Sequence, residues 1–283
     1  MAVVLVSPTV SRPHARSPEA KYELSAAFGV VTSITVKVYP ILSATGVTFS
    51  ISTGPGITID TFWSAMRQYF SYLISWAEAG TYHYSTLYPT PTGGFQFSMA
   101  PFFAPNKTIA ETNDLLAPWY AQLALLNISV DPAVTSGSNF YDAWISAFAL
   151  ETVGNTGQLA SRLFPRQNFA DEDLFNATFE VIKENSDAGN AFLGFSLAPT
   201  LEAGGNPNNS VNPAWRDAVL HALAYASWDV STPVSEIDSI RSNFTNGPMQ
   251  KWRDVSPGSG AYLNEVYIPP NFRVLSFPAE ESC

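Results

Sequence analysis

The sequence predicts an α+β domain, one large antiparallel sheet with helices packed on one face. Strand-like stretches come in hairpin-like groups and helical stretches return between them, with irregular spacing, no internal repeat and no linker after residue 25. The chain has 283 residues, 46% hydrophobic and only 13% charged, enough apolar surface for a sizeable core. Its 19 Phe, 12 Tyr and 7 Trp belong to a packed globular protein rather than a disordered one.

Residues 1–25 form a Pro-, Arg- and Ser-rich arm without periodicity, read as disordered or wrongly predicted sequence. The main domain is expected over 26–268 and an irregular tail over 269–283. In 29–39, GVVTSITVKVY alternates: Val30, Thr32, Ile34, Val36 and Val38 point one way and Val31, Ser33, Thr35 and Lys37 the other, a strand. GVTFSIST near 46–53 is a second strand. Asp60 is expected to cap a helix that runs to Gly80, with Phe62, Met66, Tyr69, Leu73 and Ala77 along its core stripe. Strands near 82–88 and 95–103 flank a turn-rich stretch, Pro89 to Gly94.

Thr108 and Glu111 have the spacing of a capping box and open a helix to about Leu126; Pro118 should kink it. NISV, 127–130, reads as a short strand. Helices are expected over roughly 139–150 and 169–185, and a buried strand over 191–199. After a Gly-, Asn- and Pro-rich loop, Asn212 and Pro213 have the N-cap and N1 pattern and open a predicted helix AWRDAVLHALAYASW. Thr232–Pro233 starts another in the same way. AYLNEVY, 261–267, reads as the last strand.

With 24 acidic against 14 basic residues the net charge is −10, which argues against nucleic acid and anionic membranes as partners. No run of 18 apolar residues exists to span a bilayer. The single cysteine, Cys283, rules out an internal disulfide and Cys-rich zinc sites, and no metal site is expected. Five Asn-x-Ser/Thr sequons, at Asn106, Asn127, Asn176, Asn208 and Asn243, favour a secreted, extracellular glycoprotein. MAVVLVSPTVSRPHARS has too short an apolar stretch for a signal peptide, so the signal is expected outside this sequence. Dinucleotide-binding, Walker and His-Glu-x-x-His motifs are absent. The three histidines lie far apart, and His221, inside a predicted helix, reads as structural. These features reach an aromatic-lined pocket but do not name a reaction.

Three stretches carry a family resemblance: FGVVTSITVKVYP (28–40), SRLFPR (161–166), and NPAWRDAVLHA followed downstream by KWRDVSPGSGAYLNE. In order and spacing, from about residue 26 to 268, the chain resembles the fungal berberine-bridge-enzyme-like, PCMH-type FAD-linked oxidases, and specifically their substrate domain and C-terminal motif. The resemblance implies an FAD-dependent oxidoreductase acting on a small organic substrate of secondary-metabolite, alcohol or sugar type. The FAD domain, with its pyrophosphate loops and covalent His and Cys links, is expected upstream of Phe28, so that this sequence reads as a truncated chain. PEAKYELSAA replaces the family's glycine-rich approach to Phe28, and NEVYIPPNF replaces the usual continuation.

The resemblance also assigns residues. Tyr262, Asn264 and Glu265 match the motif beside flavin and substrate, with Glu265 a general base whose pKa desolvation would raise. Glu202, after the strand AFLGFSLAPTL, falls where relatives hold a catalytic acid. Gly29, Val30 and Val31 match the stretch whose backbone meets the flavin. The expected partner is a small-molecule substrate, bound by a monomer. Two further readings are a flavin-free domain that binds a small metabolite or steers a non-redox cyclisation, and a non-functional fragment.

Overall fold

In the computed structural model, residues 6–8, 34–36, 40–149, 156–209, 211–262 and 265 are described. Short strands β1 (Val6–Pro8) and β2 (Ile34–Val36) pair antiparallel with each other. The remaining strands are β3 (Ala44–Ser52), β4 (Tyr82–Pro89), β5 (Phe95–Pro105), β6 (Ala133–Gly137), β7 (Gly157–Pro165), β8 (Ala191–Ser196) and β9 (Ala218–Ser227). They form one seven-stranded antiparallel sheet in the order β6-β3-β5-β4-β8-β9-β7. The α+β class and the large antiparallel sheet are as the sequence predicts.

In β3, Val47, Phe49 and Ile51 are buried while Ser50 and Ser52 are exposed, the period-2 pattern of a half-buried strand. The β4–β5 hairpin closes where expected, with Thr90 N donating to Gly94 O at 2.8 Å. Helices α1 (Ile59–Ser71) and α2 (Leu73–Glu78) divide the single predicted helix at Tyr72. The cap of α1 is Thr58, whose hydroxyl accepts from Thr61 N at 3.1 Å; Asp60 lies in the first turn. Helix α3 (Ile109–Leu125) has the expected capping box: Thr108 N donates to Glu111 Oε2 at 2.8 Å and Glu111 N to Thr108 Oγ1 at 3.2 Å. The other helices are α4 (Phe140–Ala147), α5 (Gln167–Ala170), α6 (Glu172–Asp187), α7 (Ala214–Asp217), α8 (Val234–Asn246) and α9 (Pro248–Asp254).

Three expectations are corrected. The predicted helix over 214–228 is one short helical turn, α7, followed by strand β9. Alanine favours helix intrinsically, but β9 lies between β8 and β7 and is buried on both faces, and tertiary pairing overrides propensity. NISV is not a strand: Asn127 takes φ 56° after α3, Ile128 turns into the core, and the strand follows later as β6. Ala261 and Tyr262 have no regular structure, and Glu265 N donates to Tyr262 O at 3.1 Å in a turn. The expected strand AYLNEVY is therefore a turn in its described part.

The main helical layer covers one sheet face with an aromatic core. Trp119 packs against Phe49, Tyr69 and Trp76 at 5.5, 5.5 and 5.8 Å between ring centroids, favourable separations for tilted and edge-on rings. The helices are not all on that face. Ala143 and Ala147 of α4 pack with Ala44 and Phe103 on the opposite side. Gly46 permits this approach, because a Cβ there would lie 2.6 Å from the Ala147 Cβ.

His83 is a core residue. It is fully buried, stacked on Phe102 at 4.3 Å between centroids. Thr81 Oγ1 gives its hydrogen to Trp76 O at 2.7 Å, so His83 Nε2 donates to Thr81 Oγ1 at 2.8 Å and Nδ1 is the bare nitrogen. Among the described residues Nδ1 has no partner. A second proton would be buried and unsatisfied, and burial lowers His83 to about 3. The native state thus binds fewer protons than the unfolded chain below the ordinary histidine pKa of about 6.5, and stability is lost as pH falls through that value. His83 alone should remove about 2 kcal/mol between pH 6.5 and 5. Urea unfolding at both pH values should show that loss reduced in His83→Gln; equal losses in the two proteins would refute the assignment.

Candidate active site on the open sheet face

The sheet face left open by the main helical layer holds a shallow pocket of about 260 Å³, lined by Tyr82, Phe195, Leu197, Trp215, His221, Tyr262 and Glu265. Alternation along β9 builds it. Ala222, Ala224 and Ala226 belong to the core on the helical side, so His221, Leu223 and Tyr225 face the other way. From β8, Phe195 stacks on His221 at 5.3 Å and on Tyr84 of β4 at 4.8 Å. Trp215 of α7 meets His221 edge-on at 5.0 Å and Tyr262 at 5.8 Å.

The segment Ser256–Tyr262 is fastened along β7. Leu163 N donates to Gly260 O at 2.9 Å, Ser259 Oγ donates to Leu163 O, and Tyr262 N donates to Ser161 Oγ at 2.9 Å. Gly260 is needed for this path, since a Cβ there would stand 2.5 Å from Asn212 Nδ2 and 3.0 Å from Ala214 Cβ, at the start of α7. The segment carries Tyr262 into the pocket, and the following turn brings Glu265 to His221.

His221 Nε2 faces two oxygens, Ser161 Oγ at 3.0 Å and Glu265 Oε2 at 3.3 Å. The His221 side chain is 7% exposed and that of Glu265 32%. Burial lowers His221 to about 4 and moves the Glu265 carboxyl above its ordinary range. Among the described residues no lysine or arginine lines the pocket to offset that cost. A standing ion pair would shift both groups the opposite way, but aromatic walls penalise either charge, and desolvation prevails. The imidazole is neutral at pH 7. Ser161 Oγ already accepts from Tyr262 N, so its hydrogen is free to hold the unprotonated Nε2. Glu265 Oε2 is buried and makes no well-aligned hydrogen bond among the described residues, as suits a carboxylate that takes up a proton.

Of the residues singled out in the sequence, the fold brings Tyr262 and Glu265 together. Glu202 stands apart, exposed in the turn 201–205, where its carbonyl accepts from Gly205 N at 2.9 Å. Gly29, Val30, Val31 and Asn264 lie outside the described residues. Ser161, Trp215 and His221 belong to the site and were not singled out, though all three sit in the stretches that carry the family resemblance.

No family model matches the sequence. The chain is 28% identical over 254 residues to the FAD-linked oxidoreductase ZEB1 of Gibberella zeae, covering 87% of this chain and 42% of that protein. Its fold matches the VAO-type flavoprotein MtVAO615 of Myceliophthora thermophila C1 with a TM-score of 0.74 at 20% identity, over 93% of this chain and 49% of the other. It matches berberine bridge enzyme from Eschscholzia californica with a TM-score of 0.58 at 11% identity, over 84% and 47%. The fold is thus that of part of the VAO-type flavoproteins. By sequence the chain is similar to fungal FAD-linked oxidoreductases, and it spans less than half the length of the relatives it matches.

Ser161→Ala should free the segment that carries Glu265, because Tyr262 N then loses its acceptor, at a cost of about 1–3 kcal/mol. Hydrogen exchange of the peptide covering 256–265 should quicken while that of α1–α3 stays unchanged. Unchanged exchange in 256–265 would contradict this fastening.

Proposed function

We propose that this chain forms the substrate-facing wall of an FAD-dependent oxidoreductase, with Glu265 as the general base. The observation that carries the reading is the desolvated Glu265–His221 pair on the open sheet face, ringed by Phe195, Trp215 and Tyr262. This lining suits the apolar face of a planar ring and a small organic substrate. It does not suit a pyrophosphate, for which cationic or backbone donors are needed. When bound, FAD supplies the hydride acceptor. The protein's residues do the rest: Glu265 takes the proton of a substrate O–H or N–H, the turn after Tyr262 holds its carboxylate beside the neutral His221, and the aromatic rings exclude water. Substrates of alcohol, sugar or secondary-metabolite type fit this chemistry.

Glu265→Gln keeps the shape of the side chain and removes the base. In the FAD-loaded protein that carries this chain, flavin reduction by substrate should slow by about 10²–10⁴-fold, followed by stopped-flow absorbance, with the flavin spectrum before mixing unchanged. An unaltered rate would exclude Glu265 as the base.

We also infer that the protein is extracellular and glycosylated. Asn106 and Asn127 are exposed, each at φ 56° in a turn, and Asn208 is exposed in a loop. Asn176 and Asn243 lie within α6 and α8, and Thr178 of the Asn176 sequon is fully buried. Peptide mapping of secreted protein after enzymatic deglycosylation should find glycans at Asn106 and Asn127 and none at Asn176. Unmodified Asn106 and Asn127 would reject the inference.

A further inference from the structure

Beyond the open-face site, and independent of the function proposed for it, a second pocket of about 160 Å³ lies along the edge strand β7, between it and α8 and α9, and shares Ser161 with that site. Arg162 of β7 and Arg253 of α9 line it with Gln158, Thr245, Met249 and Trp252. Both arginines are half-buried. Arg162 spends Nε on Ser256 Oγ at 2.7 Å and Nη2 on Ser256 O. Arg253 spends Nη2 on Thr245 O at 2.9 Å and on Gln250 Oε1 at 2.6 Å, and Nε on the same Gln250 oxygen at 3.3 Å. Among the described residues each Nη1 is left without a partner, and no carboxylate pairs with either guanidinium.

Two like charges on one pocket are unusual in a chain with 24 acidic and 14 basic residues. Burial, and then the charge of Arg253, push the Arg162 guanidinium below its usual range, a cost that an anion between them would remove. A third feature points to the same space. Gln158 is 5% exposed, its Nε2 donates to Thr245 Oγ1 at 3.4 Å, and its Oε1 is buried without a partner among the described residues. The pocket therefore offers two cationic donor groups, the Nη1 of Arg162 and of Arg253, one buried acceptor, and apolar surface from Met249 and Trp252.

We infer that this pocket binds a small hydroxycarboxylate, its carboxylate across Arg162 and Arg253 and its hydroxyl donating to Gln158 Oε1. The free guanidinium Nη1 donors of the two arginines match the two oxygens of a carboxylate, and the bare amide oxygen selects for a hydroxyl. The volume takes an acid of about three or four carbons, several times the share of a single water.

Isothermal titration of the full chain at pH 7 and low ionic strength with L-malate, acetate and inorganic phosphate tests this. Malate should bind at one per chain, about tenfold or more tighter than acetate or phosphate. Arg253→Gln should weaken malate about tenfold or more, and Gln158→Leu should bring malate down to acetate without changing acetate. Should Arg253→Gln not fold, Arg253→Lys keeps the charge, loses the Nη1 donor and should still weaken malate. Absence of malate binding, malate no tighter than acetate, phosphate tighter than malate, or malate affinity unchanged in the folded Arg253 variant would each overturn the inference.

Discussion

Strand β9 must satisfy two surroundings at once. Ten residues, Ala218–Ser227, hydrogen-bond to β8 on one side and β7 on the other. Toward the helices they present Ala222, Ala224 and Ala226, small enough to let the helical layer close over the sheet. Toward the open side they present His221 and larger side chains. The same pleat therefore sets both the depth of the aromatic core and the floor of the pocket. A shift of β9 by one residue would put His221 in the core and an alanine in the site.

The chemistry of the pocket follows from what surrounds His221. Aromatic rings on several sides and no lining cation among the described residues make any isolated charge expensive there. This explains why burial displaces His221 and Glu265 in opposite directions, each toward its neutral form. Glu265 is held in this surrounding by a chain segment rather than by a strand. Bonds from β7 at Leu163 and Ser161 fix that segment, and the glycine at 260 lets it pass the start of α7. The Gly-Ser-Gly stretch before Tyr262 is thus part of the site: it aims a phenol and a carboxyl at the open face.

Where structure is set locally, it was legible in the sequence. The Thr108–Glu111 capping box needs only its own four residues, and the β4–β5 hairpin shows both its alternation and its turn. Strand β9 was not legible because its alanines carry helix propensity and its partners lie up to 70 residues away, as with Gly157 and Ser227. Strand β7 was hidden by the arginine and proline in SRLFPR, although its alternation puts Ser161 and Arg162 on opposite faces. Tyr262 and Glu265 were singled out through resemblance, not periodicity. His221 was placed in a helix, and so its opening onto the site was missed. Glu202, matched loosely by position, sits in an exposed turn apart from the pocket.

The central claim is that Glu265 is a desolvated carboxyl held against a neutral imidazole. The direct measurement is its titration, followed by the side-chain carboxyl ¹³C resonance and assigned by its loss in Glu265→Gln. A midpoint above the ordinary glutamate value of about 4.3, with His221 still neutral at pH 6, is the predicted result. A midpoint at or below that value, or a protonated His221 at pH 6, would mean that the pair is an ordinary ion pair and would contradict the account.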